Sequence, residues 1–257
     1  MSLLTLLSAA AAQQADIPAS SFLRGSGSVP DETPQRTISL SAYRIDHYEV
    51  TVAQFQSFMA GPSSTQAHWS LEGWAWHQAN PQGAGDAVRS ASRALDHPVV
   101  GVTWYEADAY CRWKGGALPT EAQWEHASCG EGDPAGHRFA WGTGEDVDAV
   151  WYSGGKYGHI TGVLTEPVQS VDDALRSPFG LAHATGNVWE WTADWYHREG
   201  YAEGPDADPT GPERGTWKTM RGGSFMNLPS YSTCTHREPA RPERVALTVG
   251  FRCAYSQ

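Results

Sequence analysis

The chain has 257 residues and a net charge of −11, with 12 tryptophans, 27 glycines and 16 prolines. Its 40% hydrophobic content and many aromatics exclude a disordered chain. Its acidity, without any Lys/Arg-rich run, argues against nucleic acid or an anionic membrane surface as a partner.

Leu3 to Ala12 form an apolar run of signal-peptide length, followed by small residues that offer a cleavage site. Residues 1–14 are therefore read as a signal peptide and 15–257 as one domain, in a secreted or periplasmic protein. No stretch approaches the ~20 apolar residues of a membrane-spanning helix. Alternation predicts strands at Ser21–Gly25 and Arg36–Ile45, joined by a Gly/Pro loop. Thr51 is placed to cap a helix over "VAQFQSFMA", and Ala60–Ser90 is a long excursion with aromatic anchors. Thr103 with Glu106 makes a capping box for "WYEADAYCRWKGG", which ends at Gly115-Gly116. Thr120 with Gln123 repeats the device for "EAQWEHAS". After the Gly/Pro/Asp loop Gly204–Gly215, strands are predicted at Thr219–Phe225 and Thr248–Tyr255. Strands at both ends with helices between give an α+β fold.

Single residues carry further expectations. Arg221 and Arg252 lie in predicted strands; if buried they need carboxylates, which Glu125, Glu190 or Asp194 can supply. Arg237, Arg241 and Arg244 read as solvated surface arginines, a local basic groove being the other reading. Cys111, Cys129, Cys234 and Cys253 allow three pairings, and their even number fits an oxidising compartment.

The stretches "IPASSFLRGS", "YRIDHYEVTVAQFQSF", "HPVVGVTWYEADAYCRWKGGALPTEAQWEHA", "FGLAHATGNVWEWTADWY", "RGGSF" and "GFRCA" occur in that order. Together they resemble the formylglycine-generating enzyme family, also called sulfatase-modifying factor domains. The resemblance spans about residues 17–255 and implies a C-type-lectin-like topology with little regular secondary structure. Active members oxidise a cysteine in a sulfatase peptide with copper held by two cysteines after "GGSF". Those two positions fall on Asn227 and Ser232, neither of which is a soft ligand for Cu(I). The resemblance thus implies no copper by the family route.

The same resemblance implies a disulfide between Cys111 and Cys253. Cys129 and Cys234 then remain for a second bridge, with a free Cys234 thiol as the rival reading. Trp189, Ser224 and Tyr231 match residues of the family's substrate cleft, where a peptide or small-molecule ligand would lie, and His236 is near them. Calcium in relatives sits beneath the "GNVWEW" turn; here its matching residues are His183, Gly186, Val188 and Glu190, with a second site near Ala149. Iron is linked to some relatives. His126, His183, His197 and His236 lie in or beside the motifs, but no H-x-x-x-H or H-E-x-x-H spacing pairs them on a helix face.

Two functions follow. One is a binding domain that uses the family cleft without the metal pair. The other is an oxidoreductase of altered chemistry, acting on a peptide or small molecule through iron or another metal, or through His236 and Cys234. A sugar-binding lectin gains no support, since the sugar-binding triplets of C-type lectins are absent.

Overall fold

The computed structural model describes residues 13–83, 94–132, 138–143 and 165–257. Most of the proposed leader, and the second calcium position at Ala149, lie outside the described residues.

Capping residues set the helices. Thr51, Thr103 and Thr120 each accept from the backbone three residues on, and the Gln54, Glu106 and Gln123 side chains return the bond. The helices are α1 (Val52–Met59), α3 (Trp104–Trp113) and α4 (Glu121–Cys129). Val52, Phe55 and Phe58 give α1 one buried stripe, whereas α3 is buried from Trp104 to Cys111. Gly115, at φ +80, lets Gly116 N–H reach back to Cys111 O and close α3. The aromatic excursion also holds α2 (Leu71–Ala79), capped by Ser70, and α5 (Gly200–Glu203) is a single turn later in the chain.

Among the described residues, nine short strands form three sheets: β1 (Gln14–Ile17), β4 (Tyr43–Asp46) and β9 (Ala254–Ser256); β2 (Ser20–Arg24) with β3 (Arg36–Leu40); and β7 (Glu238–Ala240), β6 (Lys218–Arg221), β5 (Trp189–Trp195) and β8 (Val249–Gly250). All pairs are antiparallel except β5 with β8. The predicted strand over Arg36–Ile45 is two strands in different sheets. At the break, Ser41 N–H and Oγ–H donate to the Asp208 carboxylate instead of to a neighbouring strand. The predicted Thr248–Tyr255 strand likewise divides into β8 and β9, and Phe251, Arg252 and Cys253 cross between the two sheets. β6 stops before the two glycines of "RGGSF". β1 includes Gln14, so the folded body takes in that residue.

Two apolar cores result. One gathers Phe55, Phe58, Tyr110, Trp191, Met220 and Phe251 under α1 and α3. The other gathers Ile17, Phe22, Ile38, Tyr43 and Leu181 beside α4. Cys111–Cys253 ties α3 to the crossing segment, and Cys129–Cys234 ties the end of α4 to the loop after β6. Cys234 is therefore not a free thiol. The loops they close, 142 and 105 residues, each contribute about 4–5 kcal/mol in the chain-entropy model.

Candidate functional site

Past β6 the chain turns through Gly222 and Gly223 into the loop that carries Ser224, Asn227, Tyr231 and Ser232. Gly223 has φ +74, and a Cβ there would run into the Ser232 side chain. Two hydrogen bonds join this loop to the "GNVWEW" turn: Gly186 N–H to Gly222 O, 2.8 Å, and Phe225 N–H to Asn187 O, 2.9 Å. Asn187 is fixed in turn by donating its amide to both oxygens of the buried Glu49 carboxylate, at 3.0 and 3.1 Å.

Asn227 closes a small turn. Its Oδ1 accepts from Ser224 N–H (3.1 Å) and from Ser224 Oγ–H (2.5 Å), and its own N–H donates to Ser224 O (2.9 Å). Ser232 is fully buried, and its Oγ has no protein partner. His236 packs between Trp189 and Tyr231, with ring centroids 5.8 and 5.2 Å away. Its two nitrogens lie 3.8 Å from Glu32 and 3.9 Å from Glu238. Trp189 is buried, while Met226, Leu228 and Tyr231 are 67%, 60% and 44% exposed. The structure thus brings Trp189, Tyr231 and His236 together, and separately Ser224 with Asn227.

A buried ion network backs this loop. Arg221 donates to Glu125 Oε2 (2.5 Å) and to the carbonyls of Cys234, Thr235 and His236. Arg237 and Arg24 both donate to Glu121. Burial alone would raise the Glu121 carboxyl, but the guanidiniums of Arg237, Arg24 and Arg221 hold it at about 2. Arg237 is therefore a core ion, which corrects its reading as a surface arginine; Arg241 and Arg244 remain exposed. Sequence reasoning missed Glu121, the shared partner, whose place at the first position of α4 reads only as a favourable helix start. Asp194 takes a different role from the one expected, accepting the Glu121 N–H at 2.7 Å.

The chain matches the family model described as a sulfatase-modifying factor enzyme 1-like domain over residues 8–257. It belongs to the sulfatase-modifying factor family. It is 34% identical over 263 residues to the formylglycine-generating enzyme of Streptomyces coelicolor, covering 87% of this chain and 81% of the relative. It is 30% identical over 255 residues to hercynine oxygenase of Mycobacterium tuberculosis, covering 89% of this chain and 56% of that longer protein. The solved structure of Treponema denticola variable protein 1 shares the fold, with a TM-score of 0.71 at 21% identity over 95% of each chain.

Copper fits this family member poorly at the expected pair. The Asn227 oxygen is committed to Ser224, and Ser232 offers a buried hydroxyl where Cu(I) prefers thiolate. At the calcium turn, Glu190 is fully buried. Its Oε1 accepts from Arg252 Nη2 (2.7 Å), and its Oε2 from Arg252 Nε (2.6 Å) and Trp124 Nε1 (2.9 Å). Of the named residues, Gly186 and Val188 would then have to supply carbonyls alone. His183, at φ 53, lies 3.3 Å from Pro167 O, and burial lowers its imidazole to about 4. The four motif histidines have different surroundings. His126 lies among Phe22, Tyr43 and Phe179, His183 beside Pro167, His197 beside Glu199 and Glu203, and His236 between Trp189 and Tyr231. Among the described residues, no three His, Cys, Asp or Glu side chains gather as a metal site.

Proposed function

We propose that this chain is a non-redox binding member of its family, exported to an oxidising compartment, that holds an extended peptide or small ligand in the cleft of Trp189, Ser224, Tyr231 and His236. The observation that carries the reading is the Asn227 and Ser232 pair. One is consumed in closing a turn and the other is a hard hydroxyl, so neither supplies the soft ligand on which the family's oxidation depends. The cleft keeps what binding needs: an aromatic wall, apolar rim residues and two carboxylates beside His236. The two disulfides support export. No helix among the described residues is long and apolar enough to cross a membrane.

Two measurements test the proposal. A displayed random-peptide library should yield binders whose affinity falls at least about tenfold in Trp189→Ala and Tyr231→Ala, since such aromatic anchors carry binding energy. Competition with a Cu(I) chelator should show weak binding by the natural chain and a gain of several orders of magnitude in Asn227→Cys/Ser232→Cys. The likeness to hercynine oxygenase favours the rival reading of a metal-dependent oxidoreductase. Stoichiometric iron or copper in protein purified without chelators, lost in His236→Ala, would establish that rival instead.

A further inference from the structure

The carboxylates beside His236 bear on what this surface can hold. Glu32 is 1% exposed, yet neither of its side-chain oxygens accepts a hydrogen bond from the described residues. His236 Nδ1 lies 3.8 Å from its Oε1, too long for a hydrogen bond. The other nitrogen of the same ring, Nε2, lies 3.9 Å from the Glu238 carboxylate and is itself unpaired. Among the described residues, no Lys or Arg forms an ion pair with Glu32 or Glu238. The nearby arginines are committed elsewhere. Arg221 is held by Glu125 and by the carbonyls of Cys234, Thr235 and His236. Arg237 is held by Glu121 and by the carbonyls of Asp31 and His197.

The backbone that carries Glu32 is fixed. Glu32 N–H donates to Val29 O at 3.0 Å. The preceding residue, Asp31, is held twice: Tyr196 Oη–H donates to its Oδ2 (2.9 Å) and Arg237 Nη1 to its carbonyl (2.7 Å). Arg237 follows His236 in the chain as Glu32 follows Asp31, so the Arg237–Asp31 bond sets Glu32 beside His236. The contact with Nδ1 then places Oε1 at the edge of the ring that packs between Trp189 and Tyr231.

A buried carboxylate with neither donor nor permanent counter-charge is costly, and such groups are normally paired. The Glu32 oxygens are not among the buried atoms cut off from solvent, as Ser232 Oγ and His236 Nε2 are, so their open side faces a donor from outside the protein. The missing partner must bring positive charge and N–H groups together, which an ammonium or a guanidinium does and a quaternary ammonium does not. Met226, Leu228 and Tyr231 are exposed on the adjoining loop and suit the aliphatic stem behind such a head group.

We infer that the ligand is a peptide presenting a lysine or arginine, its charged head seated on Glu32 and its stem against Tyr231. This rests on the cleft reading above and narrows it to a class of peptide.

Selection of a displayed random-peptide library on the full chain tests it. Binders that depend on Trp189 and Tyr231 should be enriched in lysine or arginine at one position, and selection on Glu32→Gln should lose that enrichment. In a synthetic binder, norleucine for lysine, citrulline for arginine, or trimethyllysine, which keeps the charge without N–H, should each weaken binding at least about tenfold by fluorescence anisotropy. Glu32→Gln should weaken the basic peptide by a similar factor and leave the affinity of the neutral peptide unchanged, a coupling that a merely structural role would not produce. Binders that depend on both aromatics but show no basic enrichment, or equal loss of the basic and neutral peptides in Glu32→Gln, would overturn the inference and leave the cleft reading standing. Absence of any binder that depends on the two aromatics would overturn both.

Discussion

Replacing Glu190 by Gln tests whether this turn is held by an internal ion pair or by calcium. The change keeps the side-chain shape and removes one charge. In the natural chain the carboxylate receives two Arg252 bonds and the Trp124 N–H, all fully buried. A glutamine can accept on one side only, and its NH2 must face a donor. Breaking a buried pair from one side costs about 3–5 kcal/mol. The lower end is expected, because Glu49 lies close to both partners. Burial and the Glu190 charge both raise its carboxyl, so neutralising Glu190 removes that repulsion and leaves Arg252 the attraction of Glu49. Equilibrium urea unfolding at pH 7, with the disulfides intact, reads the effect; at a slope of about 3 kcal/mol/M the midpoint should fall by about 1 M. Arg252→Met should cost about as much or more, since it also strips a donor from the carbonyls of Asp46, His47 and Ala182. The double variant should lose less than the sum of the two. A calcium-held turn would behave otherwise. Calcium at 100 times its dissociation constant would then stabilise the natural chain by about 2.7 kcal/mol and leave Glu190→Gln unmoved. That result, or a midpoint change near zero in Glu190→Gln, would refute the ion-pair account.

Thiol titration in denaturant should find no free cysteine, and Cys129→Ala with Cys234→Ala should cost about 2–5 kcal/mol in the same unfolding assay. Gly115 and Gly223 share a left-handed backbone, at φ +80 and +74, but a Cβ meets open space at the first and Ser232 at the second. Gly115→Ala should therefore cost about 1–2 kcal/mol of backbone strain and Gly223→Ala clearly more. Burial lowers the His126 imidazole to about 4, below its ordinary 6.5. The unfolded chain takes that proton first, so this stability is present above pH 6.5 and is lost as pH falls toward 4, on the order of 3 kcal/mol. His126→Gln, which does not titrate there, should narrow its gap to the natural chain over the same window; a constant gap would contradict a buried neutral imidazole.

Local signals in the sequence were the readable ones. Each capping box lies within four residues, so its chemistry is visible without a partner, and all three helices begin where those boxes place them. The family motifs carried the fold and the Cys111–Cys253 bridge, whereas Cys129–Cys234 followed only as the pair left over. Strand limits were harder, because Leu40 and Tyr43 belong to different sheets and only the distant Asp208 determines where the chain leaves the first. β5 was hidden for a related reason. Its Trp-Glu-Trp alternation is clear, but Glu190 points inward to Arg252 rather than out to water, so polarity misreports its environment. Burial of Arg237 was illegible for the same cause: its partner Glu121 is 116 residues away.

The two substituted positions have changed in different ways, and the difference bears on function. Asn227 makes the loop self-sufficient, because its amide closes the turn onto Ser224 and the backbone needs no ion there. Ser232 does the opposite. Packed against Gly223 and fully buried, it carries a hydroxyl with no protein partner, and leaving such a group unmet costs about 1–3 kcal/mol. A structural role alone would be served as well by alanine, which fills the space without the penalty. Retaining the hydroxyl makes sense if something in the cleft completes it, and Ser232→Ala should then raise stability in the free chain while weakening peptide binding. A variant that is more stable and binds equally well would place Ser232 among packing residues and confine recognition to the aromatic wall.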